Sequence, residues 1–242
     1  MAELNLRLEQ IGGGIAAYTS PPHTFNEDSL LLAAFARAER AGRACDFGSG
    51  CGIIPLMWCR AGRPDSITAV ELSEQACALA RRGVEQSGLQ DRVKVVCADI
   101  RDFWRTVRQR YDLVTMNPPY YRAGSGRSSS SPDADCARHD GTADIDTVCR
   151  CAARVLNQGG RFCICFPVER LCDAVSAMRA SRLEPKRMRP VASRPEKEPR
   201  LMLIEAVLGG GPGLRMEDTL FSCDSEGRRT RQMEDFINGG TE

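Results

Sequence analysis

Short apolar runs alternate with longer amphipathic stretches along most of the chain. Residues 44–47, 67–70, 93–97, 111–116 and 161–166 each read as a buried strand bounded by glycine or a polar turn. Helices are predicted between them. One runs from the glycine-rich turn after Phe47 to about Ala61, one from a Ser73 cap to about Ser87, one from Asp99 to about Gln109, and one over 144–156. Another spans 169–180. Residues 185–191 and 200–207 then form a strand pair joined by a polar, proline-punctuated stretch rather than a helix. Residues 1–27 look irregular, because Gly12-Gly13-Gly14 and Pro21-Pro22 interrupt any period. Asn26 caps a helix whose apolar face includes Leu30, Leu31, Ala34 and Phe35, with Gly42 as its stop. Residues 121–140 carry glycine, serine and aspartate without a core pattern and read as a mobile loop. Beyond Gly209 one short helix is expected near 230–238.

Strand–helix alternation through five strands predicts a Rossmann-like α/β fold with a doubly wound, mostly parallel sheet. The closing strand pair makes seven strands and places one antiparallel strand among them. A single domain over 1–242 is expected, with an N-terminal extension and helix (1–41), a core (42–208) and a tail (209–242).

Composition narrows the class. Apolar residues make up 42% and charged residues 27% of the chain, so a core can be buried. No apolar run is long enough to span a bilayer, and Glu3, Arg7 and Glu9 do not suit a secretory leader, so a cytoplasmic protein is expected. The 12 cysteines include Cys45, Cys97, Cys163 and Cys165 in apolar runs and Cys59 and Cys77 in helix patterns. They read as small buried hydrophobes. The Cys149/Cys151 and Cys163/Cys165 pairs lack zinc-site spacing and His23 and His139 are the only histidines, so no metal is expected. The net charge of +1 gives no global field for nucleic acid, and any such contact must be local.

Four strand ends carry the candidate chemistry. Asp46-Phe47-Gly48-Ser49-Gly50-Cys51-Gly52 lies between a strand and a helix, where α/β sheets bind ligands. A dinucleotide fingerprint would need glycine at position 53, which is Ile53; the observed spacing suits the methionine and ribose parts of S-adenosylmethionine. Glu71, followed by Leu72, ends the second strand and can accept from both ribose hydroxyls. Asp99, followed by Ile100, ends the third and can accept from the cofactor adenine, or simply cap a helix. Asn117-Pro118-Pro119-Tyr120 ends the fourth. A conjugated amine is a poor nucleophile, so it must be held with its lone pair aimed at the methyl carbon. The Asn117 side-chain oxygen and the Pro118 carbonyl can each accept one of its N–H groups. The prolines stiffen the turn, and Tyr120 can stack on a planar target.

Residues Asp46 to Pro55 together with Asn117 to Tyr120 resemble the N6-adenine and N5-glutamine class I methyltransferases. The segments Phe25-Asn26-Glu27-Asp28-Ser29-Leu30-Leu31-Leu32-Ala33, Ala137-Arg138-His139-Asp140, Gly159-Gly160-Arg161-Phe162 and Leu183-Glu184-Pro185-Lys186-Arg187-Met188-Arg189 resemble the tRNA1(Val) (adenine-37-N6)-methyltransferase family. The resemblance runs from about residue 10 to 235. It implies an S-adenosylmethionine pocket lined by Asp46, Gly48, Gly50, Gly52, Glu71, Leu72, Asp99, Ile100 and Asn117. It also implies that Asn117, Pro118, Pro119 and Tyr120 hold the target base, and that the partner is tRNA. The serine-rich run 124–131 departs from the family.

Residues 179–200 hold eight basic side chains against three acidic ones, and Arg122, Arg127 and Arg138 flank the pocket motif. Tyr120, Arg138, Lys186, Arg187 and Arg189 are the expected substrate contacts. A monomer is expected. A release-factor glutamine methyltransferase is the rival reading, but only about 45 residues precede Asp46, too few for its usual helical substrate domain. A non-catalytic RNA- or cofactor-binding module is the third.

Overall fold

The computed structural model describes residues 6–118 and 144–239. In chain order it contains β1 (Arg7–Gly12), β2 (Ile15–Thr19), α1 (Glu27–Phe35), β3 (Arg43–Phe47), α2 (Ile53–Arg60), β4 (Ser66–Glu71), α3 (Glu74–Gln86), β5 (Val93–Cys97), α4 (Ile100–Phe103) and β6 (Tyr111–Met116). After the undescribed stretch come α5 (Ile145–Val155), β7 (Leu156–Pro167), α6 (Leu171–Ala180), β8 (Leu183–Ala192), β9 (Leu201–Leu208), β10 (Arg215–Met216), β11 (Leu220–Phe221) and α7 (Arg231–Asn238).

The main sheet runs β8-β9-β7-β6-β3-β4-β5. Its strands are parallel except β9, which is antiparallel to both β7 and β8. This is the expected seven-stranded arrangement. Two short strands, β10 and β11, extend it by pairing in parallel with the outer edge of β8. Apolar side chains pack against both faces. Leu31, Leu56, Ile67 and Leu203 belong to one cluster, with α1, α2 and α7, and Phe47, Val114, Val148 and Met178 to the other, with α5 and α6. No helix among the described residues is long and apolar enough to cross a membrane.

Several local expectations are corrected. Residues 7–19 are not irregular: they form a β-hairpin, and Gly12, Gly13 and Gly14 all adopt the positive φ that its turn demands. The predicted helix 99–109 stops at Phe103 and continues only as a 3-10 turn over Trp104–Thr106. Strand β7 begins five residues early, at Leu156, and Gly159-Gly160 forms an irregularity within it. Cys97 is exposed, whereas Cys45, Cys59, Cys77, Cys163 and Cys165 are buried as expected.

Candidate active site

Neighbouring strands β3 and β6 run in parallel and end together, at Phe47 and Met116. The chain leaves them in opposite directions along the sheet, and the gap between such strands is where α/β sheets take ligands. A crevice of about 240 Å³ opens there, lined by Thr24, Asn26, Ser29, Asp46, Gly48, Ser49, Gly50 and Asn117, among others. That is smaller than the roughly 300–1,000 Å³ of a whole small-molecule site. It suits one end of a longer ligand.

The glycine turn is built for close approach. Gly48 and Gly50 have φ of +62° and +56°, and a Cβ on Gly50 would meet nothing within 4 Å. Glu71, at the end of β4, ties the turn down: its Oε2 accepts from the Gly50 amide at 2.9 Å and its Oε1 from the Ser73 amide at 2.9 Å. Asp46 is 1% exposed. Its Oδ1 accepts from the Thr115 hydroxyl at 2.6 Å, while its Oδ2 and the Ser49 hydroxyl are buried without a hydrogen-bond partner among the described residues. Burial pushes the Asp46 carboxyl up to about 7; the Thr115 bond and the nearby Ser49 hydroxyl, which falls short of a well-aligned hydrogen bond, oppose the rise, and the Glu71 charge adds to it. Unsatisfied buried polar atoms facing a glycine cradle fit a polar, cationic ligand group.

Asn117 lines the same crevice. Its amide nitrogen donates to Ser29 Oγ at 2.9 Å and its oxygen accepts from Cys165 Sγ at 2.9 Å. Ser29 lies in the first turn of α1, which Asn26 caps by accepting from the Ser29 amide at 3.2 Å. Pro118 is buried beside it. Pro119, Tyr120 and Arg138 lie outside the described residues, as do Arg122, Arg127 and the serine-rich run.

Of the expected cofactor residues, Asp46, Gly48, Gly50 and Asn117 converge, and Glu71 joins them through Gly50. Gly52 caps α2 instead; a Cβ there would approach Ala80 Cβ to 3.2 Å, so helix packing accounts for it. Leu72, Asp99 and Ile100 lie beyond the crevice, at the ends of β4 and β5. Leu72 is half exposed and Ile100 is buried. Asp99 caps α4 and pairs with Arg101, whose hydrogen bond holds its carboxyl below the ordinary range. Thr24 and Ser29 also line the crevice, and Thr115 and Cys165 bond Asp46 and Asn117 there; the sequence did not single out these four for the site. The Phe25–Leu31 stretch carried a signal as a helix start and as part of a segment resembling the family, but not as a lining of the crevice.

The substrate contacts expected at Arg187 and Arg189 are corrected. Both side chains are buried, at 6% and 3% exposure. Arg187 bonds Glu205 at 3.2 Å and Glu217 at 3.2 Å and stacks over Phe35; Arg189 lies over Phe236 and 4.0 Å from Glu217. Guanidiniums committed to buried carboxylates cannot also bind RNA phosphates. Lys186 donates to the Gly211 and Pro212 carbonyls. Burial alone would raise the Glu205 carboxyl, but the Arg187 and Arg161 charges outweigh it and hold it below the usual range. Arg161 and Arg187 also donate to the Phe35, Ala36 and Arg37 carbonyls, at the carboxyl end of α1.

The fold is that of the class I S-adenosylmethionine-dependent methyltransferases. A protein from Agrobacterium tumefaciens described as a predicted O-methyltransferase superposes with a TM-score of 0.70 at 21% identity, covering 88% of this chain and 97% of that one. The structure of SMU.776 complexed with SAH gives 0.56 at 15% identity, covering 86% and 56%. Residues 25–131 match the methyltransferase small domain family model. The particular resemblance is to tRNA1(Val) (adenine(37)-N6)-methyltransferase. The Cronobacter sakazakii protein is 37% identical over 142 residues, which is 58% of this chain and 57% of the relative. The match thus spans little more than half the length of that curated relative. The SMU.776 structure carries SAH, and the crevice here offers polar atoms that fit a ligand with a cationic end.

Proposed function

We propose that this protein transfers a methyl group from S-adenosylmethionine to the exocyclic N6 amine of an adenine in a tRNA anticodon loop. The observation that carries the reading is the convergence of Asn117 with the Gly48–Gly50 turn on one crevice at the ends of β3 and β6. The resemblance to a tRNA adenine-N6 enzyme supports the choice of substrate.

Bound over the glycine turn, S-adenosylmethionine supplies an electrophilic methyl on a sulfonium, a leaving group that needs no acid. Asp46 and Ser49 would offer polar atoms to its cationic end, and Glu71 would brace the glycine turn through the Gly50 and Ser73 amides. Asn117 Oδ1 and the Pro118 carbonyl accept the N–H groups of the target amine and turn its lone pair toward the methyl. Rate comes from this positioning rather than from a general base, and the surplus proton passes to solvent. A loop adenine reaches the site by leaving its stack, at a cost of about a few kcal/mol.

RNA phosphates meet the loop after β8 on this reading. Because β8 is parallel to β3, the loop lies at the same edge of the sheet as Asn117. Its Arg194 and Lys197 are exposed. The test is tritiated S-adenosylmethionine offered with bulk tRNA, rRNA and a release factor, followed by nucleoside analysis. Label in N6-methyladenosine of tRNA is expected. Label in release-factor glutamine, or none in any acceptor, would refute the proposal.

A further inference from the structure

A carboxamide has nearly the same shape when turned by 180°, so packing alone does not decide which way Asn117 presents its oxygen. The neighbours decide it. The Ser29 backbone N–H can only donate, and it donates to Asn26 Oδ1 at 3.2 Å. That assigns the oxygen of Asn26. The Ser29 hydroxyl gives its proton to the same oxygen at 3.3 Å, so Ser29 Oγ is left as an acceptor. Asn117 Nδ2 donates to it at 2.9 Å and lies 3.5 Å from Asn26 Oδ1. On the opposite side Cys165, fully buried on β7, donates its S–H to Asn117 Oδ1 at 2.9 Å.

We infer that Ser29 and Cys165 are positioning residues that fix the orientation of the Asn117 carboxamide. The inference rests on the role proposed for Asn117 above. The hydrogen bonds run in one direction, from the Cys165 thiol to the Asn117 carboxamide, from there to the Ser29 hydroxyl, and on to Asn26 Oδ1, which the Ser29 backbone N–H fixes as an acceptor. Reversing Asn117 would draw the Ser29 hydroxyl proton away from Asn26 Oδ1, set two carboxamide oxygens about 3.5 Å apart, and turn the Asn117 N–H against a thiol, which is a weak acceptor. It would also turn a donor toward the N–H of the target amine, where an acceptor is needed. The remote end of α1 is held by Arg161 and Arg187, which donate to its last carbonyls.

The experiment compares Ser29→Ala, Cys165→Ala and Cys165→Ser with the wild type. Each alanine variant is expected to lower kcat about tenfold, the worth of roughly one hydrogen bond at the reacting group, with the cofactor Kd within about threefold. Cys165→Ser keeps a donor and a similar volume and is expected to restore most of the rate. Either alanine variant keeping kcat within about twofold of wild type overturns the inference. So does Cys165→Ser failing to recover when it melts like the wild type.

A second readout needs no substrate. The Asn117 side-chain amide pair in a ¹H–¹⁵N spectrum, assigned by its loss in Asn117→Asp, is expected to shift and exchange faster with water in Ser29→Ala. An unmoved pair overturns the inference whatever the substrate. A moved pair in a protein that labels no tRNA supports the positioning role and overturns only the substrate assignment.

Discussion

The Thr115 hydroxyl donates to Asp46 Oδ1 over 2.6 Å, joining the ends of two neighbouring strands beneath the glycine turn. The other carboxylate oxygen has no protein partner among the described residues. Burial holds this carboxyl at about 7, so it is half protonated near neutral pH. A cationic ligand favours the ionised form. Cofactor affinity is therefore expected to rise through pH 7, by up to about tenfold per unit below it. Calorimetry between pH 6 and 8 checks this. The same titration on Asp46→Asn removes the contribution while leaving that of the ligand's own amine. A wild type that parallels the variant would refute the role. Without ligand, the raised carboxyl contributes stability below its unfolded value near 4 that is lost as pH rises through about 7. The wild type should lose melting temperature relative to Asp46→Asn across that interval.

Asn117→Ala removes both the carboxamide and its links to Ser29 and Cys165. A fall in kcat of about a hundredfold or more is expected, with cofactor Kd changed by less than about fivefold. Single-turnover kinetics with equilibrium binding separates the two. A variant with normal turnover would remove Asn117 from the chemistry.

Glu71→Ala leaves the Gly50 and Ser73 amides without their carboxylate. Two charge-assisted bonds of about 1.5–3 kcal/mol each are lost, partly replaced by water. Cofactor affinity is expected to weaken about ten- to a hundredfold, with kcat at saturation much less affected. Equal losses in both would place Glu71 in the chemical step instead.

The buried arginines and the exposed ones should separate cleanly. Glu205→Ala removes the carboxylate that Arg161 and Arg187 share, leaving Glu217 to Arg187 and the α1 carbonyls to both, and is expected to cost about 3 kcal/mol of stability. Denaturant melts read this directly.

Arg194→Ala with Lys197→Ala should leave stability alone and flatten the salt dependence of tRNA binding. Two lost phosphate contacts reduce the slope of log K against log salt by about 1.4–1.8. An unchanged slope would place the RNA elsewhere.

Most of the scaffold was legible because a parallel α/β sheet writes itself as apolar runs, caps and glycine stops. Ser73 and Asn26 cap the helices they were expected to cap. The hairpin of residues 7–19 escaped because glycine was read as interruption, when three positive-φ positions were the turn itself. In the site, Asp46, Gly48, Gly50 and Asn117 stood out because their types are costly without a ligand. Ser29 and Cys165 did not. A serine in a helix start and a cysteine in a core strand are ordinary choices, and only the fold brings them to either side of Asn117. Arg187 and Arg189 misled for the converse reason. A local charge count cannot see Glu205 and Glu217, which lie far along the chain and neutralise them in the interior.

The short strands at Arg215–Met216 and Leu220–Phe221 act as a selvedge on the sheet. They occupy backbone groups of β8 at Arg187–Met188 and Val191–Ala192 that would otherwise face outward. A chain cut after Leu208 would bare that margin and invite another copy to add a strand. The tail thus covers the open margin of the sheet, quite apart from anything it does for the reaction.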